Sequence, residues 1–171
     1  MGDHASSASG ASSSPSIPDG AAEFMRANRR AFMITLRKDG SPTAHPMAAF
    51  YGGGALYVNV YRASAKAKNL GRDDRVCCLV ATQADADHFD AALYRGHARE
   101  LSVEEIFADE VPEGLAWARN PSSGGSQEQP DVPPEESRKI GDTAGRIQRG
   151  KRTVFEISPD TVGMVRDVRE A

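Results

Sequence analysis

The segment covering residues 56–80 places the strongest constraint on the fold, because two apolar runs flank a short polar one. Residues 55–61 and 75–82 are rich in β-branched and aromatic side chains, which is typical of β-strands. Residues 64–70 have the alanine and lysine content of a helix, and Ser64 stands where an N-cap residue would stand. The segment therefore predicts a strand, a basic turn, a short helix and a second strand.

The basic turn in this segment is a candidate anion site. The helix would begin with unpaired backbone N–H groups and the positive end of its dipole, beside basic side chains. Arg62 could fork onto two phosphate oxygens, Lys66 could add a point charge, and Ser64 could donate a hydrogen bond. Lys68 lies two residues further round the helix and can equally face water. The alternative interpretation is a solvated basic loop.

The order of these motifs resembles a known family. A glycine-containing hairpin, a strand, an Arg/Ser/Lys turn and the run AKAKNLGRDDRV over residues 65–76 are similar to the pyridoxamine 5'-phosphate oxidase-like split β-barrel superfamily, especially its flavin- and deazaflavin-dependent oxidoreductase branch. The resemblance covers residues 29–101 and, more loosely, 152–168. It implies a mainly β (α+β) fold: an antiparallel FMN-binding split β-barrel of roughly six or seven strands with a few peripheral helices. In that family the basic turn holds the phosphate of the cofactor.

A hairpin precedes the basic turn. Residues 31–37 and 43–51 are predicted strands, joined by an Asp-Gly turn at residues 38–41. Pro42 and Pro46 lack the N–H that a central strand needs, so the second strand should be an edge strand or break at the prolines. The resemblance implies that the backbone around His45, Pro46 and Met47 faces the flavin ring; a plain edge strand is the alternative. It also implies that Val60 and Tyr61, just before the basic turn, contact the cofactor.

The rest of the chain completes this prediction. Residues 1–19 are rich in Ser, Ala, Gly and Pro and are predicted to be a disordered tail, followed by a single split-barrel domain over residues 20–171. A first helix is expected over residues 20–28 with Asp19 as its N-cap. Glycines 52–54 predict a second hairpin turn. Residues 76–81 should form the most buried strand, and residues 88–101 a long strand with a bulge at Gly96.

A variable insertion is expected over residues 102–149. Ser102 and Glu105 form a predicted capping box that opens a short helix through residue 108. A second helical piece carries Trp117, residues 120–134 are a predicted loop, and residues 135–148 a weakly amphipathic helix. After the insertion, residues 152–157 should form a strand, residues 158–160 a turn, and residues 161–168 the last strand.

Charge and composition exclude several classes of function. The formal net charge of −3 argues against a nucleic-acid partner, although residues 62–75 carry five basic and two acidic side chains. No membrane span or signal peptide is evident, so a cytoplasmic location is expected. Cys77 and Cys78 are adjacent in an apolar strand, which indicates core packing and neither a disulfide nor a reactive thiol. No metal-ligand motif is present, and no catalytic acid, base or nucleophile can be assigned.

The resemblance implies a function and a partner. The chain is expected to be an oxidoreductase that uses FMN or 8-hydroxy-5-deazaflavin (coenzyme F-420) to move hydride or electrons to or from a small organic substrate. The alternative is a non-catalytic split barrel that carries or senses a flavin. Residues 163–171 lack the Arg-x-His arrangement that recognises pyridoxal phosphate. A homodimer is expected, with the cofactor cleft at the interface and residues 94–98 in an interface strand, where His97 either approaches the partner's cofactor or is an ordinary interface residue.

Overall fold

A computed structural model describes residues 17–84, 86–120 and 142–166, which form seven strands and five helices. The helices are α1 (Ala21–Ala27), α2 (Ala65–Leu70), α3 (Val103–Ile106), α4 (Glu113–Arg119) and α5 (Thr143–Gln148). The strands are β1 (Arg30–Leu36), β2 (Pro42–Ala48), β3 (Phe50–Gly52), β4 (Ala55–Tyr61), β5 (Arg75–Ala81), β6 (Ala91–Glu100) and β7 (Arg152–Val165). None of the helices in these three ranges could cross a membrane.

The strands form one antiparallel sheet in the order β2-β1-β5-β6-β7-β4-β3. The sheet curls until β2 comes close to β4, so that it forms a half-barrel. The prediction of an antiparallel split β-barrel with peripheral helices is confirmed. Strand β2 is an edge strand, as its prolines indicated, because its only partner in the described sheet is β1.

Short sequence signals produce the turns. Ser41 donates from its backbone N–H and its hydroxyl to Asp39 Oδ1, at 3.0 and 2.6 Å, and thereby closes the β1–β2 turn. The β3–β4 turn needs positive φ angles at Gly53 and Gly54, which are 65° and 84°. Both predicted hairpin turns are confirmed.

Helix α2 lies against both β1 and β4, near the place where the sheet is open. The predicted N-cap is confirmed: Ser64 Oγ accepts a hydrogen bond from the Ala67 backbone N–H at 3.3 Å. Asn69 and Leu70 are buried, and Asn69 Nδ2 donates to Thr35 Oγ1 of β1 at 3.0 Å. These contacts hold the helix against the sheet, so the direction of its basic side chains is determined by the barrel.

Two apolar clusters stabilise the fold. The first fills the concave side of the sheet and includes Met33, Val58, Cys78 and Tyr94. The second lies between β4 and β7 on one side and α3, α4 and α5 on the other, and Trp117 packs at its edge. Strand β4 contributes to both clusters and is more continuously buried than β5, so the prediction that residues 76–81 form the most buried strand is wrong.

Several predicted boundaries need correction. Helix α1 is preceded by Gly20 with φ of 78°, and no side chain caps it, so Asp19 is not the N-cap. The break after β2 falls at Ala49 rather than at a proline. Strand β6 begins at residue 91, not 88, and α3 ends at residue 106. Residues 1–16 of the predicted tail, and most of the predicted loop and helix over residues 120–148, lie outside the described residues.

The end of the chain is one strand rather than two. No turn forms at residues 158–160; β7 continues through them, and Asp160 is the extra residue opposite Arg95 and Gly96. The bulge predicted at Gly96 is confirmed by this shift in register. A Cβ atom on Gly96 would lie 1.8 Å from the Ser158 carbonyl oxygen, so only glycine permits the close approach of the two strands.

Candidate cofactor site

Basic side chains from distant parts of the chain meet where β4 ends and β7 begins. Tyr61, the last residue of β4, pairs with Arg152, the first residue of β7. The Arg152 guanidinium carbon lies 3.9 Å from the centre of the Tyr61 ring, and Arg146 Nη1 of α5 donates to the Tyr61 hydroxyl at 3.1 Å. Arg152 and, to a lesser extent, Arg146 lower the pKa of Tyr61. We call Tyr61, Lys66, Arg146 and Arg152 the basic cluster.

Lys66 is half-buried, as are Arg146 and Arg152 of the same cluster. Its pKa is lowered by burial and by the positive charge of Arg152. Among the described residues, Lys66 makes neither an ion pair nor a hydrogen bond. Within the described part of the chain neither Lys66 nor Arg152 has a carboxylate partner, and the charge of Arg152 opposes protonation of the partly desolvated Lys66.

Arg152 is held by the protein without being neutralised. Its Nη1 donates to Asn59 Oδ1 at 3.1 Å, and Asn59 Nδ2 in turn donates to the Ala118 carbonyl at 2.8 Å. Its Nε is buried and has no hydrogen-bond partner in the described part of the chain. Arg152 therefore has no carboxylate partner among the described residues, and its Nε–H remains available to an acceptor oxygen.

The other residues predicted from the basic turn occupy different environments. Arg62 forms a salt bridge with Glu100 at 2.9 Å, so a carboxylate already faces its guanidinium. The Ser64 hydroxyl serves as the cap of α2, and Lys68 is exposed to solvent. The side chain of Val60 is buried in the concave core. Of the residues proposed from this turn, the structure brings only Tyr61 and Lys66 into the basic cluster.

The predicted ring-facing residues of β2 divide between the two faces of the sheet. His45 and Met47 are half-buried and share their face with Met33, whereas Pro46 is exposed and pairs with Phe32 on the opposite face. Burial, then the charges of Lys66 and Arg37, lower the pKa of His45 and so favour its neutral imidazole. His45 therefore lies on the concave face of the sheet, where the charge of Lys66 acts on it.

A chain of polar side chains supports His45. Its Nε2 lies 3.5 Å from the Thr35 hydroxyl, which accepts the hydrogen bond from Asn69. Arg72 completes the chain: one of its nitrogens donates to Asn69 Oδ1 at 3.2 Å and to the Leu36 carbonyl at 2.6 Å. This chain joins β2, β1 and α2, so the imidazole and the helix that carries Lys66 are connected through buried groups.

The convex face of the sheet is apolar as well. Alternate residues of β1, β5 and β6 point away from the concave core and remain half exposed: Phe32, Ile34, Leu36, Cys77, Leu79 and Leu93. Small apolar residues of β2 extend this surface: Pro42, Ala44, Pro46 and Ala48. Antiparallel sheets usually present a polar face to water, so we call these ten residues the outer apolar face and regard it as an interaction surface.

Other candidate chemistry is excluded for particular groups. Burial raises the pKa of the Cys78 thiol and, to a smaller extent, that of Cys77, so neither is a reactive thiolate. No three His, Cys, Asp or Glu side chains are grouped as metal ligands within the described residues. His97 is exposed, with Nδ1 3.0 Å from Asp74 Oδ1 and Nε2 3.4 Å from Asp160 Oδ2. Its imidazole is thus engaged by two carboxylates.

Sequence reasoning missed Arg146 and Arg152. Arg146 lies 85 residues beyond Tyr61 and Arg152 lies further still, in a segment that the family resemblance covers only loosely or not at all. The alternation of residues 152–157 indicated a strand, but not that this strand pairs with β4 in a register that sets Arg152 opposite Tyr61. A predicted pairing of these two strands would have identified the basic cluster.

Comparisons with known proteins agree with the fold. A family model described as pyridoxamine 5'-phosphate oxidase matches residues 17–166. A search of curated proteins found no match. Among solved structures, the chain resembles the conserved hypothetical protein Rv2991 from Mycobacterium tuberculosis, with 18% identity and a TM-score of 0.60 over 90% of this chain and 88% of that one.

Two further solved structures have the same fold at lower similarity. One is an F420 reductase, with 16% identity and a TM-score of 0.56 over 86% of this chain and 98% of that one. The other is HutZ, a haem storage protein from Vibrio cholerae, with 13% identity and a TM-score of 0.55 over 84% of this chain and 89% of that one. At these identities the likeness shows the fold alone.

Proposed function

Because the chain belongs to the pyridoxamine 5'-phosphate oxidase family, we propose that it is an oxidoreductase that uses FMN or 8-hydroxy-5-deazaflavin. Its substrate would be a small organic molecule that gives or accepts hydride or electrons. The observation that carries the proposal is the pair Lys66 and Arg152, two neighbouring cations without a carboxylate partner among the described residues. Such a pair fits the phosphate that both cofactors carry.

The residues of this chain would bind and orient the cofactor rather than react with the substrate. When bound, a flavin or deazaflavin supplies the hydride or electron transfer. Lys66 and Arg152 would hold the phosphate, and the edge strand β2 would lie along the ring. Neutral His45 would offer a hydrogen bond without adding a positive charge beside the ring. No side chain is assigned as a catalytic acid or base.

The choice between the two cofactors rests on different relatives. FMN is the expectation for the family as a whole, whereas the F420 reductase of similar fold supports the deazaflavin. Both cofactors carry a phosphate, so the basic cluster suits either of them. Oxidation of pyridoxamine phosphate itself is not proposed, because residues 163–171 lack the Arg-x-His arrangement that would recognise that substrate.

We also propose that the chain forms a homodimer and that the outer apolar face lies in the interface. A second copy would cover apolar side chains that otherwise contact water on a sheet face. Light scattering after size exclusion should give the mass of a dimer for the wild type and of a monomer for Leu79→Glu. Lys38→Glu, an exposed change in the β1–β2 turn, is the control and should remain dimeric. A dimeric Leu79→Glu variant would contradict this interface.

A titration tests the cofactor assignment. The purified protein is titrated with FMN and, separately, with the deazaflavin, while absorbance and fluorescence are followed. Saturable binding of one of them is the expected result. Failure of both to bind a folded protein would refute the proposed function.

A carrier or sensor is the second candidate function, and the similarity in fold to a haem storage protein supports it. To separate it from an enzyme, the bound cofactor is reduced and offered quinones, enones and dioxygen. Reoxidation faster than that of the free cofactor indicates an enzyme, whereas an unchanged rate indicates a carrier. The free cofactor at the same concentration is the control.

A further inference from the structure

We propose that hydrogen bonds running from the end of α2 through β1 fix the tautomer of His45 on β2, with the proton on Nδ1 and a lone pair on Nε2. Three positioning residues carry these bonds: Arg72, Asn69 and Thr35. His45 then offers its Nδ1–H as a donor to an acceptor oxygen or nitrogen of a ligand. This last step rests on the proposed function and deepens it, whereas the tautomer belongs to the protein without a ligand.

The register of the first hairpin brings Thr35 and His45 together. Thr35 of β1 pairs with Thr43 of β2, so His45, two residues further along β2, lies diagonally opposite Thr35 on the same face. Thr35 is fully buried, and its hydroxyl forms a long hydrogen bond of 3.5 Å with His45 Nε2. Among the described residues, this hydroxyl is the only hydrogen-bond partner of the imidazole. The direction of this bond therefore determines which ring nitrogen carries the proton.

Arg72 fixes the orientation of the Asn69 amide. An arginine side chain has donors and no acceptor, so the Asn69 atom that faces it is the carbonyl oxygen Oδ1. Arg72 Nη2 lies 3.2 Å from this oxygen and also donates to the Leu36 carbonyl at 2.6 Å. The amide nitrogen of Asn69 then faces Thr35, whose Oγ1 accepts from Nδ2 at 3.0 Å. The chemistry of Arg72 thus determines an amide orientation that atomic positions alone would leave open.

The direction of the Asn69 bond leaves the Thr35 hydroxyl proton for His45. Thr35 Oγ1 already accepts from Asn69, and its own proton needs an acceptor because the group is buried. The lone pair of an unprotonated Nε2 is the acceptor that the described part of the chain provides. A proton on Nε2 would instead leave the buried hydroxyl proton unsatisfied. The hydroxyl is satisfied only when the imidazole proton is on Nδ1.

The Nδ1 atom of His45 remains available to a ligand. It has no hydrogen-bond partner among the described residues. Burial, then the charges of Lys66 and Arg37, lower the pKa of His45 and favour the neutral ring, for which the choice of tautomer exists. The proton of free neutral histidine resides mainly on Nε2, so the contacts with Thr35 reverse the usual preference. A ligand with carbonyl oxygens, such as a flavin or a deazaflavin ring, can accept from the Nδ1–H.

Nitrogen NMR of the isotope-labelled, ligand-free protein tests the tautomer. Spectra are recorded at pH 8.5, where His45 is neutral, and His45→Asn identifies its signals. We expect Nε2 to have the chemical shift of a nitrogen with a lone pair, and Nδ1 that of a nitrogen with a proton. Thr35→Val removes the hydroxyl, so the proton should move towards Nε2. Thr35→Ser keeps the hydroxyl and should preserve the wild-type tautomer.

Asn69→Asp gives the sharpest outcome because it reverses the hydrogen bonds. A carboxylate still accepts from Arg72, but it has no N–H, so it accepts the Thr35 hydroxyl proton. The Thr35 oxygen can then only accept from His45, and the imidazole proton should move to Nε2. Thr43→Val is the matched control, because it removes a hydroxyl from the same face of β2. It should leave the tautomer unchanged.

The affinity for the cofactor tests the donor role of His45. In Thr35→Val, a lone pair on Nδ1 replaces the donor, so the dissociation constant of FMN or the deazaflavin should rise roughly 2- to 10-fold, the range of one neutral hydrogen bond. Thr35→Ser and Thr43→Val should bind like the wild type. An unchanged affinity of Thr35→Val, despite a changed tautomer, would overturn the donor role and leave the proposed function intact.

The remaining outcomes also separate this inference from the proposed function. A wild-type His45 with its proton on Nε2 overturns the tautomer, even if the cofactor binds. A proton on Nδ1 that neither Thr35→Val nor Asn69→Asp displaces overturns the positioning role. If no cofactor binds, the proposed function fails, and the spectra of the ligand-free protein still decide the tautomer. If Asn69→Asp does not fold, Thr35→Val provides the same test.

Discussion

Two tyrosines of β4 occupy the same face of the sheet, and each pairs with a charged residue of β7. Tyr57 is opposite Glu156, and Tyr61 is opposite Arg152. Tyr57 is 2% exposed and Tyr61 47%. Burial and, after it, Glu156 raise the pKa of Tyr57, whereas Arg152 lowers that of Tyr61. The same strand pair therefore places two tyrosines in opposite electrostatic environments, only four residues apart.

The pair Tyr57 and Glu156 belongs to a closed polar network. The Tyr57 hydroxyl donates to Glu156 Oε1 at 3.1 Å, and Arg99 Nη2 donates to Glu156 Oε2 at 2.6 Å. Arg99 Nη1 donates to Glu105 at 2.6 Å, and Glu105 also closes the capping box of α3 with Ser102. Arg99, the cation of this network, has two carboxylate partners, so the network joins β4, β6, β7 and α3 and its charges are balanced within the protein.

The pair Tyr61 and Arg152 belongs to the basic cluster. In this cluster, Lys66 and Arg152 have no carboxylate partner among the described residues. The comparison contrasts a structural polar network with the proposed binding site on the same sheet. Where carboxylates are present, the charges stabilise the fold. Where they are missing, the fold tolerates repulsion that a ligand would remove. Substitutions in the two regions should therefore affect different properties.

The largest expected effect comes from opening the closed network. Glu156→Ala leaves the buried Tyr57 hydroxyl without its acceptor and removes one carboxylate from Arg99. An unsatisfied buried polar group costs about 1–3 kcal/mol, and we expect the free energy of unfolding to fall by that amount. Urea denaturation at pH 7 measures it. The control is Glu104→Ala, an exposed change in the same helix turn as Glu105, and a Glu156→Ala effect no larger than the control would contradict the assignment.

A smaller effect is expected from removing each tyrosine hydroxyl in turn. Tyr57→Phe removes a hydrogen bond to a carboxylate and should lower the free energy of unfolding by about 1 kcal/mol. Tyr61→Phe removes a bond between two exposed groups and should change it by less than about 0.5 kcal/mol. Urea denaturation of both variants in parallel provides the comparison. Equal losses would show that the hydrogen bond between Tyr61 and Arg146 also stabilises the fold.

The parts of the fold that could be predicted from the sequence depend on local signals. Ser64, the Ser102 and Glu105 capping box, and the Asp39 turn each act within three residues, so residue type alone identifies them. The prediction of Asp19 as the N-cap of α1 was wrong because it relied on a local signal alone. It satisfies the local preference for an N-cap, but the chain enters α1 through Gly20 in a left-handed conformation.

The candidate site depends on pairings that are far apart in the sequence. The register that sets Tyr61 against Arg152 joins residues 91 positions apart, and no local signal specifies it. The same limit explains the false turn at residues 158–160. Ser-Pro-Asp is a turn motif locally, but it forms part of β7 at a bulge, where Pro159 is tolerated opposite Gly96. Sequence reasoning therefore found the cations near helix α2 and missed Arg152 on β7 and Arg146 on α5.

The smallest expected effect extends the comparison to two histidines. The pKa of His97 is raised, chiefly by the hydrogen bond and charge of Asp74 and then by Asp160, while Arg75 opposes the shift. The pKa of His45 is lowered by burial and nearby cations. A raised pKa in the folded state stabilises the fold fully below the unfolded pKa, about 6.5, and this stabilisation is lost as pH rises through the folded value.

His97→Asn should therefore destabilise the protein more at pH 5.5 than at pH 8.5, by at most about 1 kcal/mol, the range of exposed ion pairs. His45→Asn should show the opposite trend. A lowered pKa contributes stability above the unfolded pKa that is lost as pH falls through the folded value, so this variant should lose more stability at pH 8.5. Urea denaturation of both variants at the two pH values measures the trends. Trends of the same sign would contradict these assignments, in which Asp74 raises the pKa of His97, and burial together with nearby cations lowers that of His45.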